Sequence, residues 1–421
     1  MKFFCDITVF ALTICVSMPL LCPDVSGDTG GEKSWWDKPK IAMVYGGVGG
    51  KGNPIDAYEL LRISGISAIV GGVASDDETI EYAAEKGINL IGLGYAWGIP
   101  HSIPSSRSAM NEKGQITTAA CPFSRPFWEG TIRQPVLNTL EKSLEHPNVV
   151  GFFVDSEQYA VYPRIRTCFC YDCWETFLKD ENLQDPGVDE TQRAIWLAEN
   201  GYLKGRDSED PEEWKKAPKA PFFGKYIEWV KERLTEQYKS LADEVHAKNP
   251  EFVFGKLPGN PTYWYSVGMA RGTATDEAPF FLLLESTYAS APGYGSKPER
   301  GGWIPGFTHD REDMEKLDIP FRIIGGAWLT VDTVEKADKR YTRDVFQLYD
   351  QGHRLGSHPD SDGYWFGPVS QITSRKYFRE HYPGCNIRDY WLAVRNINRY
   401  LGIEVPDDEG EVLNFLRKID D

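Results

Sequence analysis

A chain of 421 residues with 62 acidic and 46 basic side chains, net charge −16, is poorly suited to a nucleic-acid backbone: phosphate binding needs clustered cations, and no Lys/Arg-rich block occurs. Eight cysteines in this length are too few for a disulfide scaffold, while 41% hydrophobic residues suffice for a large core. Aromatics make up 13%, with 13 Trp and 21 Tyr; a core accounts for most, and the remainder suit a cleft where flat rings stack on pyranose faces.

In chain order, residues 1–26 read as a signal peptide: Lys2, the apolar "FFCDITVFALTICVSMPLLC", then the polar "PDVSGDTGGEKS". Cleavage is expected, giving a secreted or periplasmic protein; an uncleaved anchor is the alternative. Leu21 is too bulky for a good lipoprotein site before Cys22, and no later run approaches the ~20 apolar residues of a membrane span.

Eight short apolar, β-branched or aromatic runs follow: "KIAMVYGG" (40–47), "ISAIVGGV" (66–73), "INLIGLGYAWG" (88–98), "NVVGFFVDSE" (148–157), "FVFGKLPG" (252–259), "FFLLLEST" (280–287), "FRIIGGAW" (321–328) and "DGYWFGP" (362–368). Helical spacing marks "PIDAYELLRIS", "DDETIEYAAEKG", "RQPVLNTLEKSLEHP", "FGKYIEWVKERLTEQYKSLADEVHAKNP" and "TVEKADKRYTRDVFQLYDQG" between them. Near-continuous apolar strands alternating with helices imply a parallel sheet covered on both faces. Eight units predict a closed α/β (β/α)8 TIM barrel over residues 38–421 as a single domain, with the polar, Pro-rich stretch 178–221 inserted after strand 4. An open nucleotide-binding sheet would carry G-x-G-x-x-G after its first strand; "YGGVGGKGNP" lacks it and reads as a turn.

Side chains at the C-terminal ends of barrel strands face the active site. That rule selects Tyr45, Tyr95 and Trp97; Asp155 and Glu157; Lys256; Glu285 and Tyr288; Trp328; and His358, Asp360, Asp362 and Trp365. Carboxylates and rings dominate, as glycosidic cleavage requires: one carboxyl protonates the leaving oxygen, another attacks or activates water, and rings hold the sugar. Glu157 leads, ending "VVGFFVDSE" in a D-x-E pair whose carboxylates share one side of an extended chain; Asp155 alternatively caps the next turn. Glu285 ends a wholly apolar run, and Asp362 is either catalytic or a turn residue. Tyr45, Trp97, Tyr288, Trp328, His358 and Trp365 are the candidate sugar contacts.

After signal removal five cysteines remain. "CFCYDC" sets Cys168, Cys170 and Cys173 within six positions, and Cys121 offers a fourth sulfur, a set suited to a closed structural zinc site with no open position. A disulfide between two of them is the alternative; Cys385 reads as a buried small apolar residue.

"CPFSRPFWEGTIRQPVLNTLEKSLEHPNVVGFFVDSEQY" followed by "CFCYDCWETFL", roughly residues 120–180, resembles the β-galactosidase-type family 42 glycoside hydrolases. The resemblance implies that Glu157 holds the family's acid/base position and that Cys121, Cys168, Cys170 and Cys173 are its zinc ligands. Ser156 stands where the family has Asn, and "FRIIGGAWLTV" has no carboxylate at the nucleophile position, so Glu285, one strand earlier, is the substitute. A D-x-E ending the fourth strand also resembles family 18-like enzymes, although Phe153 replaces an Asp of their motif. The expectation is a secreted glycoside hydrolase with a carbohydrate substrate. Alternatives are a non-catalytic carbohydrate-binding barrel, or a polysaccharide lyase using a Tyr or His base near an Arg.

Overall fold

The computed structural model describes residues 34–48, 56–74, 76–95, 108–156, 166–206, 208–214, 221–259, 261, 263–285, 307–332, 340–342, 345–374, 378 and 386–420. Eight parallel strands form a closed barrel: β1 (Ile41–Tyr45), β2 (Ala68–Val70), β3 (Asn89–Tyr95), β4 (Val149–Asp155), β5 (Val253–Leu257), β6 (Phe280–Leu284), β7 (Phe321–Trp328) and β8 (Gly363–Gly367). Each pairs with its sequence neighbours, and β8 closes on β1 with Ile41 opposite Gly363 and Val44 opposite Phe366. All eight runs anticipated from the sequence are these strands.

Alternation along each strand sorts the core into two layers. Ile41, Met43, Val70, Ile91, Phe153, Val253, Leu257, Phe281, Leu283, Ile324 and Trp365 fill the barrel. Val44, Ile69, Phe152, Phe254, Leu282 and Phe366 face the surrounding helices. Both faces are therefore apolar, which is why the strands read as continuous hydrophobic runs. Trp35 and Trp36 pack against the inner layer just before β1, with Trp35 stacked on Phe281 at 5.4 Å.

The outer helices are α1 (Ala57–Ser64), α2 (Asp77–Glu85), α3 (Gln134–Glu145), α4 (Tyr171–Asp180), α5 (Lys225–His246), α6 (Trp264–Thr273), α7 (Phe307–Glu315), α8 (Val345–Ser357), α9 (Ile387–Tyr400) and α10 (Glu409–Asp420). Local chemistry sets their ends. Asp56 caps α1 by accepting the Glu59 N–H, and Gly65 stops it with φ 79°, a left-handed conformation that costs glycine little.

The helix expected from residue 333 begins at Val345. Thr330–Asp332 instead pairs antiparallel with Arg340–Thr342, since "RYT" is aromatic and β-branched enough to serve as a strand. Between β4 and α5 lie α4, the helix Arg193–Glu199, a single turn at Pro211–Trp214 and the paired strands Lys204–Gly205 and Phe222–Phe223. This stretch packs back on the cysteine segment: Arg166 lies over the Phe222 ring and donates to the Trp214 carbonyl at 2.5 Å, and Arg193 donates to the Phe169 carbonyl at 3.0 Å.

Candidate active site and thiol cluster

Strand register places the candidates by height and face. Asp155 is the last residue of β4, with its Cα opposite Tyr95 on β3 and Leu257 on β5, and it continues the inward series through Gly151 and Phe153. It is buried, 3% exposed, at the C-terminal mouth. Tyr45, the last residue of β1, donates its phenol proton to Asp155 Oδ2 at 3.0 Å, and its ring tilts over Trp365 at 5.7 Å. The bond fixes the direction in which the carboxylate points. Glu285 follows the last residue of β6 in the inward series Phe281 and Leu283, and is partly exposed. The mouth therefore carries carboxylates on β4 and immediately after β6, two strands apart around the wall.

Some of the expected residues belong elsewhere. Asp362 precedes β8 and lies at the opposite, N-terminal end, where its carboxylate accepts the Ile323 N–H at 2.7 Å and Arg311 Nη2 at 2.8 Å, with Arg322 Nη1 at 3.5 Å. It ties α7 and β7 to β8 and is no part of the mouth. His358 lies at the same end: Lys40 donates to its carbonyl at 3.1 Å, and its ring stacks on Phe307 at 4.9 Å. Sequence alone misplaces both because the polar residues flanking a strand look alike at its start and its end. Trp365, third in β8 and 0% exposed, fills the barrel beneath Tyr45 and presents no surface to a ligand. Lys256 faces outward, as discussed below. Trp328 ends β7 with its Cα opposite Gly367. Glu157, Trp97, Tyr288 and Cys385 lie outside the described residues.

The four cysteines converge. Cys121 follows the strand Ile116–Ala120, Cys170 is the N-cap of α4, and Cys173 lies in its first turn. All four sulfurs lie within 4.8 Å of one another, with Cys121 Sγ 3.5 Å from Cys173 Sγ and 3.7 Å from Cys170 Sγ. All are buried free thiols. Disulfide sulfurs would lie about 2.05 Å apart. Four Zn–S bonds of about 2.3 Å in a tetrahedron place sulfurs about 3.8 Å apart, so donor set and spacing fit a closed zinc site. Hydrogen bonds from Cys121, Cys168 and Cys173 hold the Cys170 thiol low, while hydrogen bonding to neighbouring sulfurs and burial push Cys121 and Cys173 well above the usual thiol range. Tyr226 braces the segment by donating to the Cys168 carbonyl at 2.5 Å, with its ring stacked on Phe169 at 5.4 Å.

The class that this architecture defines is a parallel (β/α)8 barrel with carboxylates at its C-terminal mouth and a thiol cluster beside the fourth strand. No family model and no curated protein matches the sequence. Among solved structures, the chain is similar to the β-galactosidase from Rahnella sp. R3, with a TM-score of 0.51 at 10% identity over 91% of this chain and 57% of that one. Other similar structures are an exo-β-agarase (TM-score 0.44, 10% identity, 82% of this chain and 46% of that one) and a family 39 glycoside hydrolase from Bacteroides cellulosilyticus WH2 (0.41, 12%, 87% and 64%). What the chain shares with the β-galactosidase is the (β/α)8 barrel fold, and it spans little more than half the length of that protein. Among the described residues no helix is long and apolar enough to cross a membrane.

Proposed function

We propose that the protein is a secreted glycoside hydrolase that cleaves an oligo- or polysaccharide at the C-terminal mouth of its barrel. The observation that carries this reading is the placement of a buried, Tyr45-anchored Asp155 at the end of β4 and of Glu285 just beyond β6, two strands apart at the same end of the barrel. In this reading Glu157, two residues beyond Asp155, protonates the glycosidic oxygen as the bond breaks. Glu285 attacks the anomeric carbon or activates the water that does. Asp155, held by Tyr45, fixes the strand end that precedes Glu157 in the chain, and Trp97, Tyr288 and Trp328 are assigned to the sugar subsites. Support comes from the family 42 resemblance of residues 120–180 and from a structural neighbour that is itself a β-galactosidase.

Cys121, Cys168, Cys170 and Cys173 would hold a zinc ion whose chemistry is structural: four thiolates fill the tetrahedron and pin the segment following the acid/base strand. Metal analysis of the purified chain is expected to give about one zinc per molecule, and a zinc-free protein with a Cys121–Cys173 disulfide would refute this assignment.

Incubation with a panel of polysaccharides and oligosaccharides tests the activity. Hydrolysis releases new reducing ends without ultraviolet absorption, whereas a lyase would give unsaturated, absorbing products. The second reading is a non-catalytic carbohydrate-binding barrel. It is favoured by β7, whose residues Phe321–Trp328 include no carboxylate. Binding of a sugar in the panel without turnover would select it.

A further inference from the structure

We infer that Lys256 is a positioning residue that sets the spacing between the two carboxylate-bearing strands; the inference rests on the hydrolase reading above. The lysine is fully buried, at 0% exposure, in the penultimate position of β5. Its strand neighbours are Val154 on β4 and Leu282 on β6, both in the outer layer, so its side chain leaves the barrel on the outer face, toward the helices. There the ammonium lies 6.0 Å from the Tyr265 ring and donates to the Pro258 carbonyl at 2.6 Å. Tyr265 in turn shares a hydrogen bond of 2.8 Å with Tyr238 of α5.

Removing an ammonium from water is expensive, and an apolar side chain would fill an outer-layer position without that cost. What the lysine holds is the segment between the candidate carboxylates. The Leu257 carbonyl accepts the Ser156 N–H at 2.8 Å, fastening β5 to the end of β4. Two residues later, the Gly259 N–H donates to the Leu283 carbonyl at 2.6 Å, fastening the same segment to the end of β6. Lys256 ties Pro258, the residue between these anchors. The three bonds make a short bridge from Ser156, flanked by Asp155 and Glu157, to the strand that delivers Glu285. Gly259 fits because a Cβ there would lie 2.6 Å from Leu282 Cγ and 2.9 Å from the Leu283 carbonyl. Carboxylate separation decides how a glycosidic bond is broken, so a bridge of fixed length between these strands bears directly on rate.

The test compares the wild-type chain with Lys256→Met, which keeps the volume and removes the donor. Per folded molecule, kcat is expected to fall about 100-fold with KM changed less than about threefold, the signature of reacting groups displaced by about 1 Å. Crystal structures of the two proteins are expected to differ in the Asp155–Glu285 Cα separation by more than about 0.5 Å. A folded Lys256→Met protein with wild-type kcat, or a loss that only follows the folded fraction, overturns the inference. Should that variant not fold, Gly259→Ala displaces the same bridge from its other end; it is read by the same two measurements, with wild-type values overturning the proposal. If the wild-type chain cleaves no sugar, the hydrolase reading fails by itself. The Cα separation in the two structures then decides alone: a shift supports the positioning role, and an unchanged distance overturns it.

Discussion

Asp155 and Asp362 are both acidic residues bordering an apolar barrel strand, yet one accepts the Tyr45 phenol at the mouth and the other pairs with Arg311 and Arg322 at the opposite end. Sequence made the first legible because the strand's apolar run leads into it. For the second the same run follows, and its partners lie 51 and 40 residues away along the chain, beyond any local signal. Asp310 of α7, near this end of the barrel, gives a pH-dependent test. Burial and then the nearby Asp313 push its carboxyl up to about 7 from the ordinary 3.8. A carboxyl with a raised folded value keeps its proton in the folded protein while the unfolded chain has lost it, so its contribution to stability declines as pH rises from 3.8 to about 7. Asp310→Asn removes that titration. Its Tm relative to wild type is expected to rise between pH 4 and pH 8, by about 2 °C or more, as read by calorimetry; a difference independent of pH would contradict this.

At the scale of elements, all eight strands were legible because a barrel strand is apolar on both faces and bounded by turns. Helix α6 was not, for the corresponding reason: of its ten residues all but Arg271 are buried, so it lacks the apolar stripe that betrays a surface helix. Its glycines explain the burial. A Cβ on Gly268 would meet Leu234 Cβ at 2.8 Å, and one on Gly272 would meet the Thr235 carbonyl at 2.6 Å and Tyr238 Cβ at 2.7 Å, so α6 lies directly against α5. Gly272→Ala is expected to destabilise the protein by about 1–3 kcal/mol, despite alanine's better helix propensity, because the two backbones must separate. Chemical denaturation measures this, and a stabilised variant would show that the contact is looser than described. The short pair Thr330–Asp332 and Arg340–Thr342 escaped notice because three-residue strands carry too little pattern to compete with a helical reading.

For the whole molecule, alternating strands and helices were enough to predict the closed barrel, and "CFCYDC" with Cys121 was enough to predict the thiol cluster, since its chemistry depends on residue type more than on distance. The mouth was legible only in part: the strand-end rule found Asp155, Glu285 and Tyr45, but it assigned Lys256 to the cleft when strand alternation sends it outward. The bridge that Lys256 completes between β4 and β6 depends on long-range register, which no local pattern encodes. The most direct measurement compares turnover of the wild-type protein and the Glu157→Gln variant on an oligosaccharide, whose poor leaving group requires a proton. With Glu157 as the general acid, kcat is expected to fall about 100-fold to 10,000-fold with ligand binding retained; wild-type turnover in the Glu157→Gln variant would contradict that role.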